Sequence, residues 1–304
     1  MNGLSRFEPL SAWNDASAID LLERTVATPS LSGEERRVAQ LLVDAASRSA
    51  KRAFVDAAGN AVAMWGNGPL RVTFLGHMDT VPGWIPVRVE NGELHGRGAV
   101  DAKGALCAAL VAAMRTEQRV WDALTLTFIG AVEEEAPTSR GAKFAVENYA
   151  APHLLIVGEP SGWQRYTLGY KGRIGVTVHT RRPSAHSSRE EPSAAELAVD
   201  AFNSVRTWVD TQNADGAGLF DRLQLGLLSM ETRHDGLEET CRAQLSLRLP
   251  PRFSAAETRR ALANVLPGAD LVFTDGLDAH RAGPTTELAR AFRVAIRATG
   301  GRPA

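Results

Sequence analysis

Hydrophobic residues in the first half of the chain follow two alternating patterns. Short apolar runs at 71–76, 124–132 and 154–158 are typical of central strands in a sheet that is covered on both faces. Segments of helical length and spacing lie before and between these runs, at 18–26, 104–115 and 141–149. This alternation predicts an α/β fold with a mostly parallel sheet and helices on both faces.

A further helix is predicted directly after Ser32. The run Ser32-Gly33-Glu34-Glu35 has the form of a capping box, in which the serine serves the exposed N–H groups of the first turn and Glu35 reaches back. The sequence therefore predicts that a helix starts here.

The pattern changes after about Gly169. Strand-like segments at 173–180, 223–230 and 239–249 and helical segments at 193–209 and 254–265 occur in the order β-α-β-β-α. This order predicts an inserted α+β domain at 169–278. The catalytic domain is predicted to comprise 1–168 and 279–304, with a last helix at 286–298 that packs back on the first sheet.

Charge and composition narrow the possible partners and the location. The 34 Lys and Arg residues balance the 35 Asp and Glu residues, so we expect neither nucleic acid nor an anionic membrane as partner. The longest apolar run, Ala105 to Met114, has half of the ~20 residues that a membrane-spanning helix requires and predicts a buried helix. No secretory signal is recognisable at the start, which favours a cytoplasmic location. Cys107 and Cys241 are predicted to be small core residues.

Acidic residues and one histidine follow three of the predicted strands. His77 and Asp79 come after the first strand, Glu133, Glu134 and Glu135 after the second, and Glu159 after the third. The carboxyl ends of parallel strands share one edge of the sheet, so these groups are expected to converge. Asp101 joins them from a glycine-rich loop, GRGAVDAKG at 96–104.

Several carboxylates around one imidazole repel each other unless cations lie among them. Imidazole and carboxylate ligands suit zinc, and two metals about 3.5–4 Å apart need one bridging carboxylate, for which Asp101 is the candidate. Asp79 is predicted to accept the N–H of the His77 ring and so to orient its ligating nitrogen. One glutamate of the 133–135 run is expected to act as the general base.

Each motif taken alone has an ordinary explanation. A single HxD is usually a turn feature, adjacent glutamates usually form a solvated loop, and Glu-Pro is a common strand exit. Their joint placement at strand ends favours a metal site. No GxxxxGK[ST] or GxSxG motif is present, and GRGAVD is not a GxGxxG motif, so nucleotide enzymes and serine hydrolases are excluded.

Four ordered motifs resemble those of a known enzyme family. GHMDTVP at 76–82, GRGAVDAKG at 96–104, EEE at 133–135 and GEP at 158–160 are similar to the co-catalytic zinc peptidases and deacylases, which include acetylornithine deacetylase, succinyl-diaminopimelate desuccinylase and carboxypeptidase G. TPSLSGEE at 28–35 is similar too. The resemblance implies two Zn²⁺ per chain, for which Co²⁺ can substitute. The implied roles are His77, Glu135 and Glu159 as ligands, Asp101 as the bridge and Glu134 as the general base.

The same resemblance implies that the inserted domain is a lid through which the chain forms a homodimer. Within RPSAHSS at 182–188, His186 matches a lid histidine that donates a hydrogen bond to the developing oxyanion. Arg173 and Arg248 match arginines that hold a substrate carboxylate. Without the resemblance, the pattern favours an exposed loop position for His186, and both arginines are equally well explained as surface charges.

Two longer segments look most like the branch that hydrolyses lysine linked to an amino-group carrier protein. They are VEEEAPTSRGA at 132–142 and GEPSGWQRYTLGYKGR at 158–173. The implied substrate is lysine, or ornithine, linked to a small acidic carrier protein of lysine or arginine biosynthesis. Such a carrier is expected to meet a basic rim, for which the candidates are Lys171, Arg173, Arg181, Arg182 and Arg189.

One departure from the family pattern leaves alternatives open. The last metal ligand of the family is a histidine in a C-terminal segment, and this chain ends at Ala304 before such a segment; His280 is not expected to replace it. The alternatives are an acetylornithine- or succinyl-diaminopimelate-type deacylase that acts on a small acylated amino acid, and a non-catalytic remnant without a complete metal site.

Overall fold

The computed structural model describes residues 13–184, 190–214, 216 and 218–303. None of the helices in these residues has both the length and the apolar character needed to cross a membrane. The chain divides into two compact units, Met1–Gly162 and Trp163–Ala304. The finer assignment of 169–278 to a lid and of 279–304 to the catalytic domain stays a prediction.

The described part of the first unit, residues 13–162, contains five helices and seven strands. The helices are α1 Asp15–Ala27, α2 Arg36–Ala46, α3 Lys103–Arg115, α4 Gln118–Ala123 and α5 Arg140–Asn148. The strands are β1 Arg52–Val55, β2 Ala61–Gly66, β3 Leu70–His77, β4 Arg88–Glu90, β5 Glu93–His95, β6 Leu124–Ala131 and β7 Leu154–Val157. All three strands and all three helices read from the hydrophobic pattern of this half are present, each within a few residues of its expected bounds.

The central sheet of the first unit has the strand order β1-β2-β6-β3-β7. Strand β3 runs parallel to both β6 and β7, whereas β2 runs antiparallel to both β1 and β6. Four of the five strands therefore point in the same direction. The prediction of a mostly parallel α/β sheet is confirmed.

Both faces of this sheet are buried. Phe74 on β3 and Phe128 on β6 stack with their ring centroids 5.6 Å apart, and Leu106 of α3 belongs to the same hydrophobic cluster. Ile129 of β6 is adjacent to Phe128 and points to the other face, where it pairs with Val62 of β2, and both of these residues are also buried. Each fully buried side chain of this size stabilises the fold by roughly 1.5–3 kcal/mol, so this packing holds the strands, and with them their ends, in place.

The predicted capping box at the start of α2 is wrong. The helix begins at Arg36, and its N-cap residue, Glu35, makes no capping hydrogen bond with its side chain. The hydroxyl of Ser32 instead donates to Oδ2 of Asp79 at 2.7 Å. The buried carboxylate of Asp79 needs hydrogen bonds that compensate for its loss of water. A hydrogen bond from a hydroxyl to a charged carboxylate is also stronger than one from a neutral backbone N–H to the hydroxyl.

The second unit is built around a four-stranded antiparallel sheet in the order β10-β11-β9-β12. Its elements are β8 Gly169–Tyr170, β9 Gly172–Pro183, α6 Ala194–Gln212, β10 Gln224–His234, β11 Glu238–Leu249, α7 Ala255–Val265, β12 Asp270–Phe273, β13 His280–Arg281 and α8 Glu287–Ala298. The predicted β-α-β-β-α order is present, and β12 is an additional edge strand that the sequence reading missed.

The structure bears on the predictions for the two cysteines and for the last helix. Cys107 and Cys241 are both free and buried, which confirms them as small core residues. The predicted last helix is present as α8, where Phe292 stacks on Tyr166 with a centroid distance of 5.9 Å.

Candidate metal centre

The ends of three neighbouring strands hold the residues that the sequence reading singled out. His77 is the last residue of β3, Glu133 follows β6 by two residues, and Glu159 follows β7 by two residues. Asp101 lies in the loop before α3. Because β6, β3 and β7 are adjacent and parallel, their carboxyl ends meet at one edge, and all of these residues belong to the first unit.

His77 lies at the middle of the cluster and is only 1% exposed. Its Nε2 atom is 3.1 Å from Oδ1 of Asp101 and 3.9 Å from Oε1 of Glu159. On the other side of the ring, Nδ1 lies 3.0 Å from the backbone oxygen of Asp79 and 3.3 Å from its Oδ1. One ring nitrogen is therefore held by Asp79, while the other faces the acidic side chains.

Two groups of potential ligands share this imidazole. One consists of His77, Glu134 and Glu135, and the other of His77, Asp101 and Glu159; the ligand atoms within each group lie within 4.8 Å of one another. One nitrogen and several carboxylate oxygens are the donors that zinc accepts. The side chain of Asp101 is 58% exposed, so the cluster is open to solvent on that side. The donor set fits a metal site with room for water.

The negative charge of the cluster shifts the pKa of its members. Burial alone would lower the pKa of His77, but the hydrogen bond to Asp79 and the charges of Glu134 and Glu159 raise it to about 9. Burial, together with the charges of Glu134 and Asp101, raises the pKa of Glu159 to about 7 against the opposing effect of His77. These shifts have the direction expected where carboxylates are crowded together.

Asp79 is fully buried and accepts hydrogen bonds from both flanking segments. The donors are the hydroxyl of Ser32 at 2.7 Å and the backbone N–H groups of Glu134 at 3.1 Å and Glu135 at 2.9 Å. Burial would raise the pKa of Asp79, but the hydrogen bonds from His77, Ser32 and these N–H groups outweigh it and hold the pKa below its usual range. Asp79 therefore remains a carboxylate that links three segments of chain.

Within the glutamate run, Glu133 has a different environment from its neighbours. Its Oε1 accepts from Nε of Arg140 at 2.7 Å and its Oε2 accepts from the hydroxyl of Thr138 at 2.6 Å. Glu134 and Glu135 are the two members of the run grouped with His77. The carboxylates of the run that lie near His77 are therefore those of Glu134 and Glu135, and the roles expected for them stay a prediction.

The remaining predicted site residues lie in the second unit or outside the described residues. Arg173 on β9 and Arg248 on β11 are direct cross-strand partners in the sheet. Lys171 donates from Nζ to the backbone oxygen of Arg222 and to Oε1 of Gln224. His186 and Arg189 fall outside the described residues. His280 is paired with Tyr170 between β13 and β8.

The sequence reading missed three side chains that contact the glutamate run. Glu35 accepts the N–H of Glu133, and Thr138 and Arg140 bind the Glu133 carboxylate. The TPSLSGEE motif at 28–35 is part of the family resemblance, but its residues 32–35 predict a helix start and no contact with the glutamate run. Spacing along the chain does not reveal a contact between residues 35 and 133.

The chain is similar to known proteins over most of its length. A profile of Peptidase family M20/M25/M40 matches residues 73–298. A [LysW]-lysine hydrolase from Deinococcus radiodurans is 43% identical over 293 residues, which cover 94% of this chain and 81% of that protein.

Solved structures share the fold at low sequence identity. A tripeptidase from Staphylococcus aureus superposes with a TM-score of 0.74 at 14% identity, over 95% of this chain and 83% of that one. An M20 family metallo-carboxypeptidase from Sulfolobus solfataricus superposes with a TM-score of 0.67 at 15% identity, over 94% and 84%. At these identities the likeness establishes the fold alone. The profile match, which spans residues 73–298, shows that the chain belongs to Peptidase family M20/M25/M40.

Proposed function

We propose that this chain is a zinc-dependent amidohydrolase that releases lysine, or ornithine, from a small acidic amino-group carrier protein. The observation that carries the proposal is the group of imidazole and carboxylate atoms around His77, in a chain that is 43% identical to a [LysW]-lysine hydrolase. Membership of the family supports an amide as the bond that is cleaved, and this relative supports a carrier-linked amino acid as the substrate.

The proposed ligands are His77, Asp101, Glu135 and Glu159, with Asp101 as the bridge between two zinc ions. When bound, zinc polarises the amide carbonyl and lowers the pKa of a water molecule. The contact between Nδ1 of His77 and Asp79 supports a ligand role for Nε2, because a hydrogen kept on Nδ1 leaves the lone pair on Nε2.

Glu134 is the proposed general base. Its carboxylate takes a proton from the attacking water and passes it to the departing nitrogen. Glu134 is grouped with His77 and exposed to solvent, so it can reach both water and substrate. Its backbone N–H is fixed by Asp79 at 3.1 Å, which limits the directions its side chain can take.

Recognition of the substrate is proposed for the second unit. Arg173 and Arg248 are neighbours across two strands, and two guanidinium groups on adjacent strands suit a carboxylate. His186 is proposed to donate a hydrogen bond to the oxyanion. Lys171, Arg181, Arg182 and Arg189 are proposed to attract the acidic carrier. A homodimer formed through a lid at 169–278 completes the proposal.

The test compares the unaltered purified chain with two variants, all supplied with zinc or cobalt. The substrates, assayed in parallel, are carrier-linked lysine, carrier-linked ornithine, acetylornithine and succinyl-diaminopimelate. Glu134→Gln is expected to lower turnover by about 10²–10⁴-fold with little change in metal content. Glu147→Gln, at an exposed position on α5, is the matched control and is expected to keep full turnover.

Each other result points to a specific alternative. Full turnover in Glu134→Gln removes Glu134 as the base. Faster cleavage of a free acylated amino acid than of the carrier-linked substrates indicates a deacylase. A metal content below about one ion per chain, together with no turnover on any substrate, indicates a non-catalytic remnant.

A further inference from the structure

The loop between α1 and α2 places two polar side chains beside the candidate metal centre. Glu35 is 2% exposed, and Ser32 is half-buried. Neither belongs to the groups of potential metal ligands. Backbone contacts also attach this loop to the end of β3, since the N–H of Thr80 donates to the oxygen of Ser30 at 2.9 Å.

Three successive backbone N–H groups, those of Glu133, Glu134 and Glu135, donate hydrogen bonds to two buried carboxylates. The N–H of Glu133 donates to Oε1 of Glu35 at 3.0 Å. The N–H groups of Glu134 and Glu135 donate to Oδ1 and Oδ2 of Asp79 at 3.1 and 2.9 Å. Ser32 fixes the orientation of the second carboxylate through its 2.7 Å hydrogen bond to Oδ2. We refer to Ser32, Glu35 and Asp79 as the amide clamp.

Helix capping does not account for Glu35. Although Glu35 is the N-cap residue of α2, its carboxylate makes no capping bond to that helix. Its Oε1 atom accepts the N–H of Gly33 at 3.0 Å and reaches across to Glu133. A buried carboxylate is costly to desolvate, and an apolar side chain would fill the same space without that cost. What the carboxylate adds is an acceptor for the glutamate run.

The backbone of the glutamate run needs such support. Glu133 has a φ of 56°, in the left-handed region that non-glycine residues rarely occupy. A conformation of this kind persists only where surrounding contacts hold it. The side chain of Glu133 is held by Arg140 and its N–H by Glu35, so both ends of this residue are anchored. The directions of Glu134 and Glu135 follow from this anchored residue.

We propose that Glu35 and Ser32 are positioning residues that, through the amide clamp, hold the backbone of Glu133–Glu135 and so aim the side chains of Glu134 and Glu135 at the reaction. The effect on catalysis rests on the function proposed above, whereas the effect on the backbone does not. Neither residue belongs to the groups of potential metal ligands, so both are assigned an indirect role.

The main variant is Glu35→Met, which keeps the size of the side chain and removes its acceptor. Glu35→Gln keeps an acceptor oxygen without the charge and is the rescue variant. Glu34→Met is the matched control, because Glu34 is the adjacent glutamate of the same loop and is exposed. Amide hydrogen exchange at Glu133, Glu134 and Glu135 is measured together with kcat, KM and zinc content.

Glu35→Met is expected to speed exchange at the Glu133 amide by about tenfold or more, with a smaller change at Glu135, which is held by Asp79. It is also expected to lower kcat by about tenfold or more while KM and zinc content change little, because a misdirected base acts on the chemical step. Glu35→Gln should recover most of both losses, and Glu34→Met should match the unaltered chain.

Failure of the clamp and failure of the proposed function give different results. Unchanged exchange at Glu133 in Glu35→Met overturns the clamp whatever the enzyme cleaves. Faster exchange with unchanged kcat overturns the positioning role. A chain that cleaves none of the substrates refutes the proposed function, and the exchange measurement still decides the clamp. If Glu35→Met does not fold, Ser32→Ala takes its place, with faster exchange expected at Glu134 and Glu135 and unchanged exchange counting against the clamp.

Discussion

Replacing Asn60 with alanine tests how the strand end before the glutamate run is held. Asn60 is fully buried, and its Oδ1 accepts the N–H of Val132 at 3.1 Å. Its Nδ2 donates to the backbone oxygen of Gly141 at 3.1 Å and to Oδ2 of Asp56 at 2.9 Å. One side chain therefore joins the loop before β2, the end of β6 and the start of α5.

The magnitude of the effect follows from these three bonds. In Asn60→Ala the buried N–H of Val132 loses its acceptor, which costs about 1–3 kcal/mol. The oxygens of Gly141 and Asp56 each lose one donor, at about 0.5–1.5 kcal/mol per bond. Asp56 keeps the hydroxyl of Tyr149 at 3.0 Å as a second donor, so its share lies at the low end. The expected loss in the free energy of unfolding is about 2–5 kcal/mol.

Urea unfolding gives the free energy, and hydrogen exchange of the 124–148 segment locates the change in the first unit. Asn148→Ala is the control, because Asn148 is exposed and its Nδ2 donates to a carbonyl of its own helix. That variant is expected to change stability by no more than about 0.5 kcal/mol. The reasoning is refuted if Asn60→Ala loses less than about 1 kcal/mol or no more than the control.

Two further predictions concern close packing and buried thiols. In Gly158→Ala the new Cβ would lie 2.3 Å from Cζ of Phe74, so we expect the free energy of unfolding to fall by about 1–3 kcal/mol, measured by thermal unfolding. Gly218 has open space around it, so Gly218→Ala is expected to change stability little. Equal melting temperatures of the two variants would contradict this prediction. Burial raises the pKa of the Cys107 thiol to about 11, so this thiol remains protonated at pH 8, and Cys241 is also buried. We therefore expect a disulfide reagent to detect no fast-reacting thiol in the native chain and two thiols in urea. Rapid labelling of the native chain would contradict the burial of these cysteines.

The strand ends that carry His77 and Glu159 could be predicted because their signal is local. Each follows a short apolar run, and the carboxyl ends of parallel strands meet wherever those strands pair. The short strand β12, Asp270–Phe273, was not predicted, because it begins with a charged residue and its apolar run has three residues, against four in Leu154–Val157. Its place in the second unit depends on pairing with β9.

The glutamate run shows where local patterns are insufficient. Three identical side chains stand next to each other, and only their surroundings distinguish them. Arg140 and Thr138 bind the Glu133 carboxylate, which leaves Glu134 and Glu135 near His77. Family resemblance implies the same pair, and the roles of its two members stay a prediction.

The sequence by itself determined the three parallel strands β3, β6 and β7 of the five-stranded sheet and the residues that follow them, because a short apolar run and the residues after it are local features of the chain. Only the tertiary structure decided that Ser32 and Glu35 turn away from helix α2 toward Asp79 and Glu133, partners that lie 47 and 98 residues further along the chain. A polar side chain forms its hydrogen bonds with groups that folding brings within about 3 Å, and separation along the chain places no limit on which groups those are.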